Sequence, residues 1–357
     1  MGNAVDYISW RGDLSFEDAP INEVDIFIFS QIVAANYTGI IEKTDVGITL
    51  KEAAERYFET HSENRKSLGV LQSGFVLPVL KAMSVSERYK NLLLKRYINK
   101  IKTAKSEQFC GLSIECPGRF LCIVFQGTDD TLIGWKEDFR LASSSEIAAH
   151  KDAVKYLSKA VTASNAPKIY VCGHSKGGNL SLFSAVNSDK DIRDRITTAV
   201  SFDGPGFRDE FFSSENYREM RNRLVTVISD YSTIGLLLKL AGRRVIVKSD
   251  IKGPMAHDGF YWEVMGPKFI KTKTLSPSSR KFEHVLDDIL LNMDEKTRLS
   301  FTEELFDILL SSGAKTITEL TQLSLKDKTE LLKKLSSNPQ LSAFIRLTIA
   351  SIFNLEP

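Results

Sequence analysis

The stretch Lys168-Ile169-Tyr170-Val171-Cys172-Gly173-His174-Ser175-Lys176-Gly177-Gly178 decides the fold of this 357-residue chain. Ile169 to Cys172 form an apolar, β-prone run, and the residues after Gly178 have helical periodicity. A Gly-x-Ser-x-Gly pattern between a strand and a helix forms a sharp turn, because its glycines let neighbouring backbone approach the serine closely. The stretch therefore predicts a nucleophile elbow with Ser175 at its tip.

The same turn predicts what the two neighbours of Ser175 do. The free N–H groups of the following helix point toward the serine, so the backbone N–H of Lys176 is a candidate oxyanion donor. Adjacent residues on a turn do not face each other, so we expect the Lys176 side chain on the rim of the site. His174 is expected to point away from Ser175 and to support the site by packing or hydrogen bonding.

Strand and helix patterns alternate on both sides of the elbow. Alternation of this kind is typical of an α/β fold with a mostly parallel central sheet flanked by helices. Helices are predicted over Asn22–Ala35, Thr49–Phe58, Ser84–Lys105, Ser145–Thr162 and Gly178–Asn187. Strands are predicted over Phe109–Glu115, Phe120–Gln126, Lys168–Cys172, Thr197–Phe202, Leu224–Ile228 and Arg244–Lys248, the first two joined as a hairpin at Pro117-Gly118.

The strand signal ends after about Ser276. Residues 276–357 have the spacing of several amphipathic helices and are predicted to form a C-terminal helical appendage. Residues 1–275 are predicted to form the main α/β domain, with a mostly helical N-terminal part over 1–108. This division places the elbow near the middle of the larger domain.

A serine nucleophile needs a base, and two histidines follow Ser175. In hydrolases with this elbow the order along the chain is Ser, then Asp or Glu, then His. His257 lies in a loop after the last predicted strand, whereas His284 lies in a predicted helix. His257 is therefore the predicted base, and His284 is expected to be a surface or packing residue.

Two aspartates end the strands that follow the elbow, and either can orient the base. Asp230 ends the second of these strands, which is the usual position of the acid in this fold, so strand order favours Asp230. Asp203 ends the first strand and remains the alternative, although Asp203-Gly204-Pro205-Gly206 also suits a purely structural turn. The second oxyanion donor is expected from Thr128, in the loop after the strand Phe120–Gln126.

Composition and charge exclude several other classes of protein. The net charge of 47 − 45 = +2 gives no electrostatic reason to expect a nucleic-acid partner. The N-terminus does not have the pattern of a secretory signal, and no apolar run approaches the roughly 20 residues of a membrane span. Cys110, Cys116, Cys122 and Cys172 include no Cys-x-x-Cys pair and are expected to be buried, reduced thiols. A cytoplasmic protein without metal or cofactor is predicted.

These motifs resemble those of the class 3 lipases and of a bacterial lipase-like family, the domain of unknown function 2974. Trp10-Arg11-Gly12-Asp13-Leu14-Ser15-Phe16 is similar to the opening of the second group. Phe125-Gln126-Gly127-Thr128 resembles the lipase oxyanion segment, with Gln126 where arginine is common. The elbow is similar as well, with Lys176 in place of a usual leucine. The resemblance implies an α/β-hydrolase fold with the triad Ser175, Asp230 and His257.

The predicted function is that of a serine hydrolase which cleaves a small-molecule carboxyl ester or lipid ester through an acyl-enzyme. A catalytically silent scaffold that binds through its helical tail is an alternative from another class, because fold alone does not fix function. A thioesterase or amidase with the same triad is a second alternative. A short apolar helix is predicted within Tyr231–Leu240, either packed on the sheet or forming a wall of the acyl pocket; the sequence does not predict an oligomeric state.

Overall fold

A nine-stranded sheet forms the centre of the protein in the computed structural model, which describes residues 2–61, 73–102, 107–129, 131–141, 144, 146–283 and 295–337. Its strands lie in the order β1-β2-β3-β4-β5-β6-β7-β8-β11, and β9 and β10 form a separate small hairpin. The strands are β1 Ile48–Thr49, β2 Leu93–Lys102, β3 Glu107–Cys116, β4 Phe120–Phe125, β5 Ile169–His174, β6 Ile196–Phe202, β7 Leu224–Ser229, β8 Arg243–Val247, β9 Val264–Met265, β10 Lys268–Phe269 and β11 Lys271–Thr272.

The five strands β4 to β8 run parallel, and the remaining neighbours in the sheet are antiparallel. Parallel strands bring the loops at their carboxyl ends to one edge of the sheet. The helices are α1 Ala4–Arg11, α2 Glu23–Ile32, α3 Leu50–Thr60, α4 Val76–Val85, α5 Leu132–Leu141, α6 Ala148–Thr162, α7 Lys176–Asn187, α8 Lys190–Arg195, α9 Asp209–Ser213 and α10 Glu215–Met220. Further helices span Glu295–Leu310, Ile317–Gln322 and Leu325–Ser337.

Helices cover both faces of the sheet, as the side chains of β4 show. Cys122 and Val124 belong to the core formed with α1 to α4, whereas Ile123 and Phe125 belong to the core formed with α6 and α7. Strands buried on both faces are apolar throughout, which is why β4 is an unbroken hydrophobic run. The predicted α/β fold with helices on both faces of a central sheet is confirmed, and the sheet is mixed, with the parallel strands β4 to β8 flanked by antiparallel strands at both edges.

The predicted helix over Ser84–Lys105 is wrong, because the longest element in this stretch is strand β2, Leu93–Lys102. The register between β2 and β3 shifts between Lys95 and Ile98, where Arg96 has a φ of +55°. A bulge of this kind adds one residue to the strand and interrupts its alternation. The buried residues Leu94 and Tyr97 are thereby three positions apart, which is a helical spacing.

A buried ion pair joins α2 to the turn between α4 and β2. The Arg88 guanidinium donates to both carboxylate oxygens of Asp25 in α2, at 2.8 Å from Nε and 2.6 Å from a terminal nitrogen, and neither side chain is exposed. The remaining guanidinium N–H groups donate to main-chain carbonyls, including that of Ala19 at 3.0 Å. The Tyr89 hydroxyl donates to Asp25 at 2.7 Å. Each buried charge is therefore paired and also hydrogen-bonded.

The C-terminal helix Glu295–Leu310 packs against α5. Lys136 and Arg140 of α5 both form ion pairs with Glu303, at 2.6 Å each. Apolar side chains from the two helices, including Leu132 and Phe306, form a small core of their own. Residues 284–294 and 338–357, which include His284 and part of the predicted appendage, lie outside the described residues. Helix Glu295–Leu310 thus contacts the rest of the described chain through α5.

All four cysteines lie on strands of the central sheet. Cys110, Cys122 and Cys172 are buried, Cys116 is half-buried, and all four are free thiols. Burial raises the pKa of Cys172, whose sulfur lies 3.6 Å from that of Cys122. In the part of the chain that the structure describes, no helix has the length and apolar character needed to cross a membrane.

We expect Arg88→Ala to lower the free energy of unfolding by about 3–5 kcal/mol, because it leaves the Asp25 carboxylate buried without its partner. Urea denaturation followed by circular dichroism measures this loss. Arg56→Ala is the matched control, since Arg56 pairs with Glu52 on an exposed helix face, where such pairs contribute roughly 0.3–0.5 kcal/mol. Equal losses in the two variants would contradict the anchoring role of the Arg88–Asp25 pair.

Candidate active site

Ser175 occupies the sharp turn between β5 and α7. Its backbone has φ +56° and ψ −131°, a conformation that costs a non-glycine residue of order 1–3 kcal/mol. The Ser175 N–H donates to the main-chain oxygen of Phe202, the last residue of β6, at 2.9 Å. The strained serine is thus held at the carboxyl edge of the sheet, next to the end of the neighbouring strand.

The glycines of the elbow make this turn possible. A Cβ atom on Gly177 would lie 2.1 Å from the main-chain oxygen of Phe125, and one on Gly173 would lie 2.2 Å from the carbonyl carbon of Gly177. Both contacts are with backbone, which cannot move aside as a flexible side chain can. Glycine at both positions therefore lets three segments approach each other more closely than a residue with a Cβ atom would allow: the end of β4, the end of β5 and the start of α7.

His257 is oriented by Asp203. The Nδ1–H of His257 donates to Oδ2 of Asp203 at 2.7 Å, and the Asp203 side chain is fully buried. The other carboxylate oxygen accepts a hydrogen bond from the Ser232 hydroxyl at 2.5 Å. His257 itself is about one-quarter exposed and lies at the end of a 3-10 helix, Gly253–His257. The Nδ1–H bond leaves Nε2 of His257 as the nitrogen that can accept a proton.

The structure corrects the sequence prediction of Asp230 as the residue that orients His257. Asp230 lies at the end of β7, where its Oδ1 accepts a hydrogen bond from the Ser249 N–H at 3.1 Å. Its main-chain N–H and oxygen join it to Val247 and Ser276. Asp203 follows β6, which is the immediate neighbour of β5, so it is the aspartate beside the elbow. Asp230 closes a loop at the other side of β7.

His174 supports the site by hydrogen bonding, as the sequence predicts. Its Nε2–H donates to the main-chain oxygen of His257 at 2.7 Å, and the two rings lie 4.5 Å apart. Burial, together with the neighbouring His257 ring, lowers the pKa of His174 to about 3. His174 is thus a neutral donor that fixes the loop carrying His257.

The loop after β4 lies against the serine on its other side. A Cβ atom on Gly127 would lie 3.1 Å from the Cβ of Ser175, so this loop adjoins the nucleophile. The Thr128 hydroxyl donates to Oδ2 of Asp138, in α5. The hydroxyl proton is therefore engaged, and the part of Thr128 that suits an oxyanion is its backbone N–H. Lys176 begins α7 directly after Ser175, as expected for the other donor.

The Lys176 side chain is buried, which corrects the expectation that it lies on the rim. Its Nζ donates to the main-chain oxygen of Gln108 at 3.1 Å and to Oε1 of the same residue at 2.6 Å. It also donates to Oε2 of Glu137 at 3.0 Å and lies 4.0 Å from Oδ1 of Asp138. The sequence offered no signal for this cluster, because its acidic members lie about forty residues away and are joined to the elbow only by folding.

Asp138, a member of this cluster, has a raised pKa. Burial raises its pKa to about 6, while the Lys176 ammonium and the Thr128 hydroxyl act in the opposite direction. The neighbouring carboxylates of Glu137 and Asp129 add to the rise. The acceptor of the Thr128 hydroxyl is thus a carboxylate above about pH 6 and a neutral acid below it.

The apolar segment Tyr231–Leu240 contains one 3-10 turn, Ile234–Leu236, rather than the predicted short helix. Leu236 packs in a small core with Ile228 and Leu275. The Gly206 N–H donates to the main-chain oxygen of Leu237 at 2.7 Å. The segment therefore braces the loop that follows Asp203.

A cavity of about 220 Å³ lies between α6, α7 and the segment after Asp203. Its lining includes His150, Asn179, Phe183 and Phe207, and neither Ser175 nor His257 is part of it. Within the described ranges, no group of three or more His, Cys, Asp and Glu side chains suits a metal ion.

We expect Gly177→Ala to destabilise the fold by at least the roughly 1–3 kcal/mol that overpacking typically costs, because the new methyl group meets immobile backbone. Thermal unfolding measures the effect. Gly74→Ala is the control, since a Cβ atom there has nothing within 4 Å. A Gly177 variant as stable as the Gly74 variant would show that the elbow is not packed as described.

Comparison with known proteins places the chain in a family. No curated protein matches it. Among solved structures, "Crystal structure of M37 lipase" is similar at 13% identity and a TM-score of 0.34, over 60% of this chain and 70% of that one, a likeness too distant to bear on the chemistry. The Mbeg1-like family model matches residues 83–307, which include the elbow, Asp203 and His257. The chain belongs to the Mbeg1-like family, a lipase-like family, as its resemblance to the domain of unknown function 2974 implied.

Proposed function

We propose that this protein is a serine hydrolase of carboxyl esters, lipid esters included, with Ser175 as nucleophile, His257 as base and Asp203 as acid. The observation that carries the proposal is the 2.7 Å hydrogen bond from His257 to the buried Asp203, on the turn beside the strained Ser175. A nucleophile, a base and an orienting acid in this arrangement are the parts of a catalytic triad. Membership of a lipase-like family supports the same chemistry.

In the proposed mechanism, each of these residues acts in one step of acyl transfer. Asp203 holds the Nδ1–H of His257, so Nε2 accepts the Ser175 proton as Oγ attacks the ester carbonyl carbon. The carbonyl oxygen becomes an oxyanion that accepts hydrogen bonds from the N–H groups of Lys176 and Thr128. His257 then returns the proton to the departing alcohol, which leaves an acyl-enzyme on Ser175. His257 next takes a proton from a water molecule as that water attacks the acyl carbon; the proton then passes to Ser175 Oγ, and the carboxylic acid leaves.

Two features favour an enzyme over a silent scaffold. A scaffold has no need of the strain stored at Ser175, and strained residues concentrate at functional sites. It also has no need to bury the Asp203 carboxylate against a histidine.

Thioesters and amides require the same groups, so a panel of chromogenic acyl substrates with ester, thioester and amide linkages separates those activities.

The free cysteines suit a reducing compartment, and we propose the cytoplasm on that ground.

We expect a fluorophosphonate probe to label Ser175, because it reacts with a serine hydroxyl that a base has activated. Peptide mapping by mass spectrometry identifies the labelled residue. Ser175→Ala is expected to abolish labelling and ester turnover while keeping the thermal stability of the parent. Ser9→Ala, on an exposed helix face, is expected to change neither. Labelling at another serine would contradict the assignment of the nucleophile.

We expect Asp203→Asn to lower kcat on the order of 10⁴-fold, because an amide at this position stabilises the wrong tautomer of the histidine. Asp230→Asn is the matched control and is expected to cost far less, since Asp230 contacts the Ser249 N–H and not His257. Steady-state ester hydrolysis by the two purified variants measures the difference. The reverse ranking would restore Asp230 as the acid.

A further inference from the structure

We propose that the Lys176 side chain is a positioning element that ties the two halves of the oxyanion hole together through Gln108, Glu137 and Asp138. The inference rests on the proposed function, because it concerns how that site is held. One half of the hole is the N–H of Lys176, at the start of α7, and the other is Thr128, on the loop after β4. These two halves belong to different segments of the chain, so their spacing needs a connection.

The contacts of the ammonium supply that connection. Lys176 Nζ donates to Gln108 twice, at 2.6 and 3.1 Å, and the Gln108 side-chain amide donates to the main-chain oxygen of Gly127 at 3.4 Å. Lys176 also donates to Glu137 at 3.0 Å, and the next residue, Asp138, accepts the Thr128 hydroxyl. One ammonium thus reaches the oxyanion loop by two routes, one through Gln108 and one through the adjacent residues Glu137 and Asp138.

Keeping the charged Lys176 side chain buried costs free energy, and side-chain packing alone does not explain why a charge is kept there. Its side chain is fully buried, and removing an ion from water costs several kcal/mol even after relaxation. Within the described ranges, Glu137 Oε1 and Asp138 Oδ1 are buried without a hydrogen-bond donor. The ammonium is therefore the charge that compensates both carboxylates. Without it the two carboxylates would repel each other beneath the oxyanion loop.

Loss of this charge has a consequence for pH dependence. The groups that face Asp138 are the Lys176 ammonium, the carboxylates of Glu137 and Asp129, and the Thr128 hydroxyl. Lys176 lowers the pKa of Asp138, so its removal raises that pKa further above about 6. As the pH is lowered, Asp138 of the variant therefore takes up its proton at a higher pH than Asp138 of the wild-type protein. The Thr128 hydroxyl loses its charged acceptor over the same range.

The test measures kcat per active site in the full-length chain with Lys176→Met. The number of active sites is counted by a p-nitrophenyl ester burst, so misfolded molecules do not contribute. We expect kcat per site to fall about 10²-fold, the cost of misplacing a catalytic group by roughly 1 Å. KM is expected to change little, because the interaction lost acts on the transition state. The acid limb of the kcat profile is expected to move to higher pH.

A second variant keeps the test decisive if the first does not fold. Glu137→Gln retains an oxygen that accepts from Lys176 but removes one charge, and we expect a smaller fall in kcat per site. Lys190→Met is the control for loss of a lysine, since Lys190 pairs with Asp194 on the surface. Active wild-type protein with unchanged kcat per site and pH profile in the cluster variants would overturn the positioning role alone. Wild-type protein with neither burst nor turnover would overturn the proposed function and this inference together.

Discussion

The backbone of Ser175 has φ +56°, and the rest of the site depends on the packing that holds it there. Three pieces of main chain meet at the elbow, at separations where the Cβ of any residue but glycine would overlap backbone at Gly173 and Gly177. The free-energy cost of this strained backbone is offset by burial on both faces of the sheet, because each face of β4 and β5 packs against helices. A parallel sheet with this turn presents the serine side chain above its carboxyl edge. The packing that builds the fold therefore also sets the position of the nucleophile.

The elbow and the sheet could be predicted because their signals are local. Gly-x-Ser-x-Gly between an apolar run and a helical pattern is recognisable within one short stretch, and β3 to β8 each contain a short run of β-prone residues. Strand β2 could not be recognised because its bulge changes the spacing of buried residues. Leu94 and Tyr97 are both buried, although an uninterrupted strand would place Leu94 and Arg96 on the same face. A register shift follows from pairing with β3, which the sequence of β2 alone does not contain.

The acid and the buried lysine depend on contacts between distant segments. The sequence favours Asp230 over Asp203, because it contains strand order and not the spatial adjacency of the strands. The Ser175 N–H bonds to Phe202, so the residue after Phe202 lies beside the elbow, and this neighbour relation appears only once β5 and β6 pair. Lys176 occupies a position where a lysine is usually solvated. Its acceptors, Gln108 and Glu137, come from β3 and α5, and no pattern in the sequence joins them to the turn.

The central claim is that Ser175, His257 and Asp203 form one catalytic unit with an oxyanion hole of backbone donors. A crystal structure of the protein after reaction with an alkyl phosphonate tests all of these parts in a single measurement. We expect phosphorus bonded to Ser175 Oγ, with the phosphonyl oxygen within about 2.7–3.1 Å of the N–H groups of Lys176 and Thr128. We also expect His257 to remain hydrogen-bonded to Asp203. Phosphorus on another residue, or a phosphonyl oxygen directed away from both N–H groups, would contradict this assignment of the site.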